Sequence, residues 1–241
     1  TGRLERGLIL LQAAGGYNSL YLQAKLLARV LGEGSERAWE VAGTGGWRAL
    51  ARLWRRLRGG DPIVYHFGGF DPLASLLAWR RRTVFVYHNI TPFAELGRYQ
   101  PLVALWALLG RLQLRLAPRR LRWVAVSPYN ARGLSEQGFE NVEYCPCLVE
   151  PRPARRKASE PALLFVGRIS PSKNCLELVE QAEAAARLTG LRLTLHVVGE
   201  GKRHCRYHRR FRREIEQCGR RGRLRVAVHE RLPLAELDAL Y

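Results

Sequence analysis

Residues 162–174 read A-L-L-F-V-G-R-I-S-P-S-K-N. Five apolar residues, Ala162–Val166, stop at Gly167, a polar loop follows, and from Asn174 to Leu188 the apolar residues take up helical spacing. A strand apolar throughout, closed by glycine and followed by an amphipathic helix, predicts a buried strand of a parallel sheet and its crossover. Downstream the pattern repeats. A strand is expected at Leu191–Val198, and a helix over about His204–Cys218 with Tyr207, Phe211, Ile215 and Cys218 as its apolar stripe. Leu224–Val228 reads as the next strand, and Leu234 opens another helix.

Upstream, residues 150–160 read E-P-R-P-A-R-R-K-A-S-E, rich in proline and charge and without apolar period, as a linker does. Before it, strands are expected at Gly7–Ala14, Pro62–Phe67, Thr83–His88, Trp123–Ser127 and around Asn141–Cys145. Helical spacing falls at Ser19–Leu31, Pro72–Arg82 and Pro101–Ala117, with a short helix ending at Gln137. Apolar strands alternating with helices predict an α/β chain of two Rossmann-like domains, residues 1–150 and 161–241, joined by a linker at 151–160. Two such domains place a ligand cleft between them.

Composition narrows the classes. At 241 residues, 47% hydrophobic and 25% charged, the chain is globular and can bury a core. The best candidate for a membrane span, Pro101–Ala117, is interrupted by Arg111, Gln113 and Arg115, and the start of the chain does not read as a signal peptide. The five cysteines are odd in number and irregular in spacing, which predicts reduced thiols and a cytoplasmic protein rather than a disulfide framework. His204, Cys205 and His208 suggest a metal, but the surrounding positive charge argues against a cation. The formal charge is +19, and 36 of 40 basic residues are arginine. Residues 1–150 carry 20 basic and 11 acidic groups and residues 151–241 carry 20 and 10, so the excess is not a tail. Such a surface attracts phosphates, acidic lipid or nucleic acid, and an arginine-rich coding bias explains it equally well. With no methionine, and an end at Tyr241 inside a helical pattern, the chain is expected to be a fragment.

Chemistry concentrates at the ends of the strands. After Gly167, Arg168 and Lys173 flank a helix start set by Pro171 and Ser172; two cations and helix-end N–H groups suit a diphosphate. A basic loop that merely caps the helix fits the pattern as well. Gly199 and Gly201 end the next strand, where a turn explains them equally. In the first half, Gly15-Gly16 follow the first strand, where glycine lets a backbone come close to a ligand or simply makes a tight turn. His88 and Asn89 follow the third expected strand, and His66 ends the second. Ser127 reads as a helix start. The absence of G-x-G-x-x-G after the first strand argues against a dinucleotide oxidoreductase.

The run G-R-I-S-P-S-K-N, the helix after it and L-H-V-V-G-E-G resemble the second domain of retaining glycosyltransferases of the GT-B fold, most closely the group-1, family 4-like type. Q-A-A-G-G-Y-N-S, V-Y-H-N-I-T-P and V-S-P-Y-N resemble segments of the first domain, so the likeness runs through the chain in order. The resemblance implies transfer of a sugar from a nucleotide diphosphate to an acceptor hydroxyl with retention, in cell-surface glycan or glycolipid synthesis. It implies Arg168, Lys173, Gly15 and Gly16 on the donor diphosphate and His88 as the catalytic residue against the transferred sugar. His66, Asn89, Gly167, Gly199 and Gly201 would line the cleft. Arginine and lysine do the work of a metal in this scheme, so neither a divalent ion nor another cofactor is expected. The partners implied are a nucleotide sugar and a glycan or lipid-linked acceptor; W-R-R-L-R at 54–58 and R-R-R at 80–82 leave open a peripheral contact with an anionic membrane. The family's acidic signature would follow Tyr241, so the second domain is expected to be incomplete. Two other readings stand beside this one: a non-catalytic nucleotide-sugar-binding relative or fragment, and a basic nucleic-acid-binding protein. Against the last, the aromatics of the His204–Cys218 helix fall on its apolar stripe.

Overall fold

Short apolar strands separated by helices are forced into parallel pairing, because each crossover returns the chain to the same edge. The computed structural model describes residues 7–11, 19–32, 40–43, 54, 60–97, 100–149, 160–201, 205–230 and 232–240. The linker expected at 151–160 and the glycines expected on the donor, Gly15 and Gly16, fall outside them, apart from Glu160. The chain divides into two units: Thr1–Pro92 with Leu105–Glu150, and Phe93–Ala104 with Pro151–Tyr241.

In the first unit, strands β1 (Leu8–Leu11), β2 (Glu40–Gly43), β3 (Ile63–Phe67), β4 (Thr83–Tyr87), β5 (Arg122–Ala125) and β6 (Asn141–Tyr144) form one parallel sheet in the order β2-β1-β3-β4-β5-β6. The order reverses between β1 and β3, and in open sheets ligands bind outside the carboxyl ends at such a point. Helices α1 (Ser19–Gly32), α2 (Pro72–Leu77), α4 (Pro101–Leu116, of which residues 105–116 lie in this unit) and α5 (Pro128–Glu136) connect the strands; short α3 (Phe93–Leu96) belongs to the second unit. The helix expected at 72–82 is shorter because Arg80 and Arg82 turn back: Arg80 donates to the Asp61 carbonyl at 3.1 Å and Arg82 to that of Gly60 at 3.3 Å. Strand β2, E-V-A-G, was not legible as a strand, since it has no apolar run.

The core of this unit is aromatic. Tyr65, Phe67, Phe85, Tyr87 and Trp123 are buried and stack across β3, β4 and β5 at 5.0–6.5 Å. Asp71 ties the sheet to α2: its carboxylate accepts from the Leu73 N–H at 3.0 Å, as an N-cap should, and from the Tyr65 hydroxyl at 2.5 Å. Burial and then the Asp71 charge raise the Tyr65 pKa, so the phenol stays a donor. Pro72 follows at the first helical position, where no N–H is needed.

The second unit holds β7 (Ala162–Val166), β8 (Leu193–Val198) and β9 (Leu224–His229), parallel and in chain order, with a 3₁₀ turn at Pro171–Lys173 and helices α6 (Cys175–Thr189), α7 (Arg206–Arg221) and α8 (Leu234–Leu240). Val179, Ala182 and Ala186 of α6 pack with Tyr207, Phe211 and Cys218 of α7 over Leu195 and Val197. The stripe read on α7 is therefore its buried face. One expectation fails. Strand β7 is not buried on both faces: among the described strands it lies at the sheet edge, with Leu163 39% and Val166 45% exposed. An apolar run alone does not distinguish a central strand from an edge strand.

Candidate functional site

Each unit gathers its candidate residues at the carboxyl ends of its strands. In the first, His66 lies on β3 opposite Val86 of β4. Side chains two apart on a strand share a face, so His88 meets His66 diagonally. His66 Nδ1 and His88 Nε2 are 2.8 Å apart and the rings stack at 5.0 Å. One ring N–H must donate to the other ring's lone pair, and His88 Nδ1, on the less buried ring, is not used by that bond. His66 is 2% exposed and its Nε2 has no hydrogen-bond partner among the described residues. Burial pushes its pKa down to about 3, with the His88 charge adding to the effect; burial pushes His88 down to about 4. Both imidazoles are neutral at physiological pH, so His88 can donate or accept without bringing charge.

The loop after β4 is fixed from several sides. The His88 N–H donates to the Phe67 carbonyl at 3.0 Å. Asn89 adopts φ 68° and its Oδ1 accepts from the Ile90 N–H at 2.8 Å, a local turn that asparagine tolerates. Arg111 of α4 clamps the Ile90 carbonyl through Nε at 3.3 Å and Nη2 at 2.9 Å. Gly110, beside it, lets α4 touch the 69–70 backbone; a Cβ there would stand 2.7 Å from the Phe70 nitrogen. Sequence reading missed Arg111 and Gly110, although an isolated glycine inside a helical pattern is itself a signal of close approach.

The second unit is organised by backbone. Gly167 donates to the Val198 carbonyl, Ile169 to that of Glu200 and Gly199 to that of His229, each at 2.9 Å. The loops after β7 and β8 therefore run as one extended layer. Gly199 has φ +148°, and a Cβ on it would meet the Gly167 oxygen at 2.0 Å; one on Gly201 would meet the His208 ring at 2.4 Å. Gly199 abuts Gly167, and Gly201 lies against Ile169 and His208.

Lys173 closes the 3₁₀ turn, its N–H donating to the Ser170 carbonyl at 3.0 Å. Asn174 then takes φ 49° and opens α6 without capping it; its side chain turns to Glu177 at 3.2 Å. Tyr207, which sequence reading placed only in a core stripe, accepts from the Leu176 N–H at 3.1 Å and pins the start of α6. Arg168 and Lys173 are exposed, and neither forms an ion pair with another described residue. Two exposed cations beside a helix start are a combination that attracts anions, although Tyr207 already takes one N–H of that start and Glu177 stands in its first turn.

The remaining motif residues have structural roles. Ser127 Oγ accepts from the Asn130 N–H at 3.1 Å and caps α5. Cys205 Sγ accepts from the His208 N–H at 3.4 Å and caps α7; His204 lies outside the described residues. No described helix is long and apolar enough to cross a membrane.

Two Rossmann-like units of parallel sheet, each with its polar residues at the carboxyl edge, define the fold class as α/β. No family model matches the chain, and no curated protein matches it. Solved structures do. A glycosyltransferase from Rickettsia africae ESF-5 is 14% identical, covers 94% of this chain and 69% of its own, and superposes with a TM-score of 0.54. A variant of S. aureus TarM, in complex with fondaparinux, α-GlcNAc-glycerol and UDP, matches at 13% identity and a TM-score of 0.47, over 69% of this chain and 33% of that one. The likeness to the Rickettsia structure is one of fold.

Proposed function

We propose that this chain belongs to a retaining GT-B glycosyltransferase of the group-1 type, which moves a sugar from a nucleotide diphosphate to an acceptor hydroxyl in cell-surface glycan or glycolipid synthesis. The observation that carries this reading is the loop 167–174, where Arg168 and Lys173, neither ion-paired with another described residue, flank the start of α6 on a glycine-fixed backbone. A diphosphate leaving group gains negative charge as the glycosidic bond loosens, and preorganised cations favour that transition state over the ground state. Arg168 presents a planar fork and Lys173 a compact charge, so together they can engage both phosphates without a divalent ion. His88, neutral and steadied by His66, offers Nδ1 to a hydroxyl of the transferred sugar. Gly15 and Gly16 follow β1 in the sequence, and β1 pairs with β3 so that Leu11 stands opposite His66. In this reading they border the donor at the switch point of the first sheet. That a solved structure of the same fold is a glycosyltransferase supports the assignment.

The test is turnover of a panel of nucleotide-diphosphate sugars, in the presence of a chelator, by the chain and its Lys173→Ala variant. Turnover reduced about a hundredfold or more by Lys173→Ala, with unfolding unchanged, is expected. Equal turnover by the two would contradict the assignment. Nucleotide-sugar binding without turnover would select the non-catalytic reading instead.

A further inference from the structure

Beneath α2 and α4, on the side of the first sheet formed by β3, β4 and β5, lies a cavity of about 410 Å³. This is well above the roughly 150 Å³ that holds a benzene-sized guest. Phe67, Phe85 and Trp123 line it from the sheet, and small Ala74 and Ala78 leave the space that larger side chains would fill. Of its polar lining groups, Ser75 and Gln113 are turned on each other and on the main chain, and the Trp123 indole N–H is a single donor with no partner among the described residues. Gln113 Nε2 donates to Ser75 Oγ at 2.7 Å and to the Asp71 carbonyl at 2.6 Å, while its Oε1 accepts from the Asp71 N–H at 3.1 Å. Ordered water needs two to four polar partners, which this lining does not offer, so the cavity suits hydrocarbon.

The cavity opens to the surface through apolar residues. Trp79 and Leu116 line it and are 72% and 85% exposed, and Leu76 beside them is 71% exposed. Cationic groups border this opening. Arg120 lies over the Trp79 ring at 5.6 Å and Arg115 stands on α4 next to Leu116, whereas Arg80 and Arg82 turn back to the Asp61 and Gly60 carbonyls. An apolar chamber with an aromatic and cationic mouth is complementary to a hydrocarbon tail bearing a negative head.

We infer that this cavity binds an acyl chain of an anionic phospholipid, with the phosphate held at the arginines of the mouth and the chain against Phe85 and Trp123. The site lies within the first unit and is independent of the transfer chemistry proposed above. It goes beyond electrostatic attraction to a membrane, because it requires a chain to leave the bilayer and enter the protein.

The experiment uses the full chain with vesicles of equal parts phosphatidylglycerol and phosphatidylcholine, brominated on their acyl chains, and reads sedimentation and tryptophan quenching. Ala78→Phe fills the cavity without changing charge. Binding of the parent chain with strong quenching, weakened roughly tenfold in Ala78→Phe as methylenes are excluded, is expected. Arg115→Gln with Arg120→Gln should weaken binding at low salt and shift its salt dependence. Should Ala78→Phe not fold, Ala74→Leu gives the same comparison from the next turn of α2. Equal binding by parent and filled variants, abolished by salt and without quenching, would mean surface electrostatics alone and overturn the proposal. Absence of binding, or equal binding to phosphatidylcholine alone, would overturn it too.

Discussion

The loops after β4 and β7 both end a parallel strand, yet the first takes its functional groups out of water and the second leaves them in it. His66 and His88 owe their state to burial: stacked rings at 5.0 Å, one hydrogen bond, depressed basicity. Arg168 and Lys173 owe theirs to main chain: three 2.9 Å backbone bonds and a glycine that admits no Cβ, with both cations solvated. Neutral groups that select by hydrogen bonding gain from a dry setting, whereas permanent cations would lose several kcal/mol to desolvation there. The two sites should therefore fail differently when perturbed.

The largest effect is expected at Gly199. Gly199→Ala meets both a steric clash and a backbone region closed to alanine, and should cost about 4 kcal/mol or more in urea unfolding. Gly222→Ala is the matched control: its φ is +80° but nothing lies within 4 Å of the added Cβ. It should cost only about 1 kcal/mol. Equal costs would mean that the loops after β7 and β8 are not in contact.

Acid comes next, and acts on the other site. The histidines sit near 6.5 when unfolded and at about 3 and about 4 when folded, so the unfolded chain binds more protons below pH 6.5. Their contribution is therefore complete above 6.5 and is lost as the pH falls toward 4. Between neutrality and about pH 5 the loss should be on the order of 4 kcal/mol for the pair, about 2 for each ring, and the His66→Gln, His88→Gln double variant should flatten that part of the profile. An unchanged slope in the double variant would place the acid sensitivity elsewhere.

A smaller effect sharpens the picture of α6. Tyr207→Phe removes the acceptor of the Leu176 N–H and should cost about 1 kcal/mol, while loosening any anion held at that helix start. A loss of stability with undiminished anion affinity would separate the helix start from the anion site.

Much of this architecture was written in the residues themselves. The strands at 63–67, 83–87, 162–166 and 193–198 were plain from apolar runs ending in glycine or polar loops, and Ser127 was plain as a cap. Strand β2 was not, because four residues E-V-A-G carry neither alternation nor an apolar run; its place follows from pairing with β1. The edge position of β7 was hidden for a related reason, since composition reports apolarity and not neighbours. Among the candidate residues, Arg168 and Lys173 stood out in the sequence because charges beside a glycine at a strand end are a local signal. The His66–His88 contact depends on the register between β3 and β4, and Arg111 on which face of α4 meets the Ile90 carbonyl. Both are facts of tertiary structure that no single stretch of sequence contains.

In the proposed function the 167–174 loop holds a nucleotide's diphosphate through Arg168 and Lys173. Isothermal titration of the full chain with UDP, GDP and ADP in the presence of a chelator tests it most directly, beside Arg168→Ala and Lys173→Ala. Metal-independent binding of at least one nucleotide is expected, weakened about tenfold or more in each variant while unfolding shifts by less than about 0.5 kcal/mol. Binding that is unaltered in both variants, or no binding by the parent chain, would contradict it.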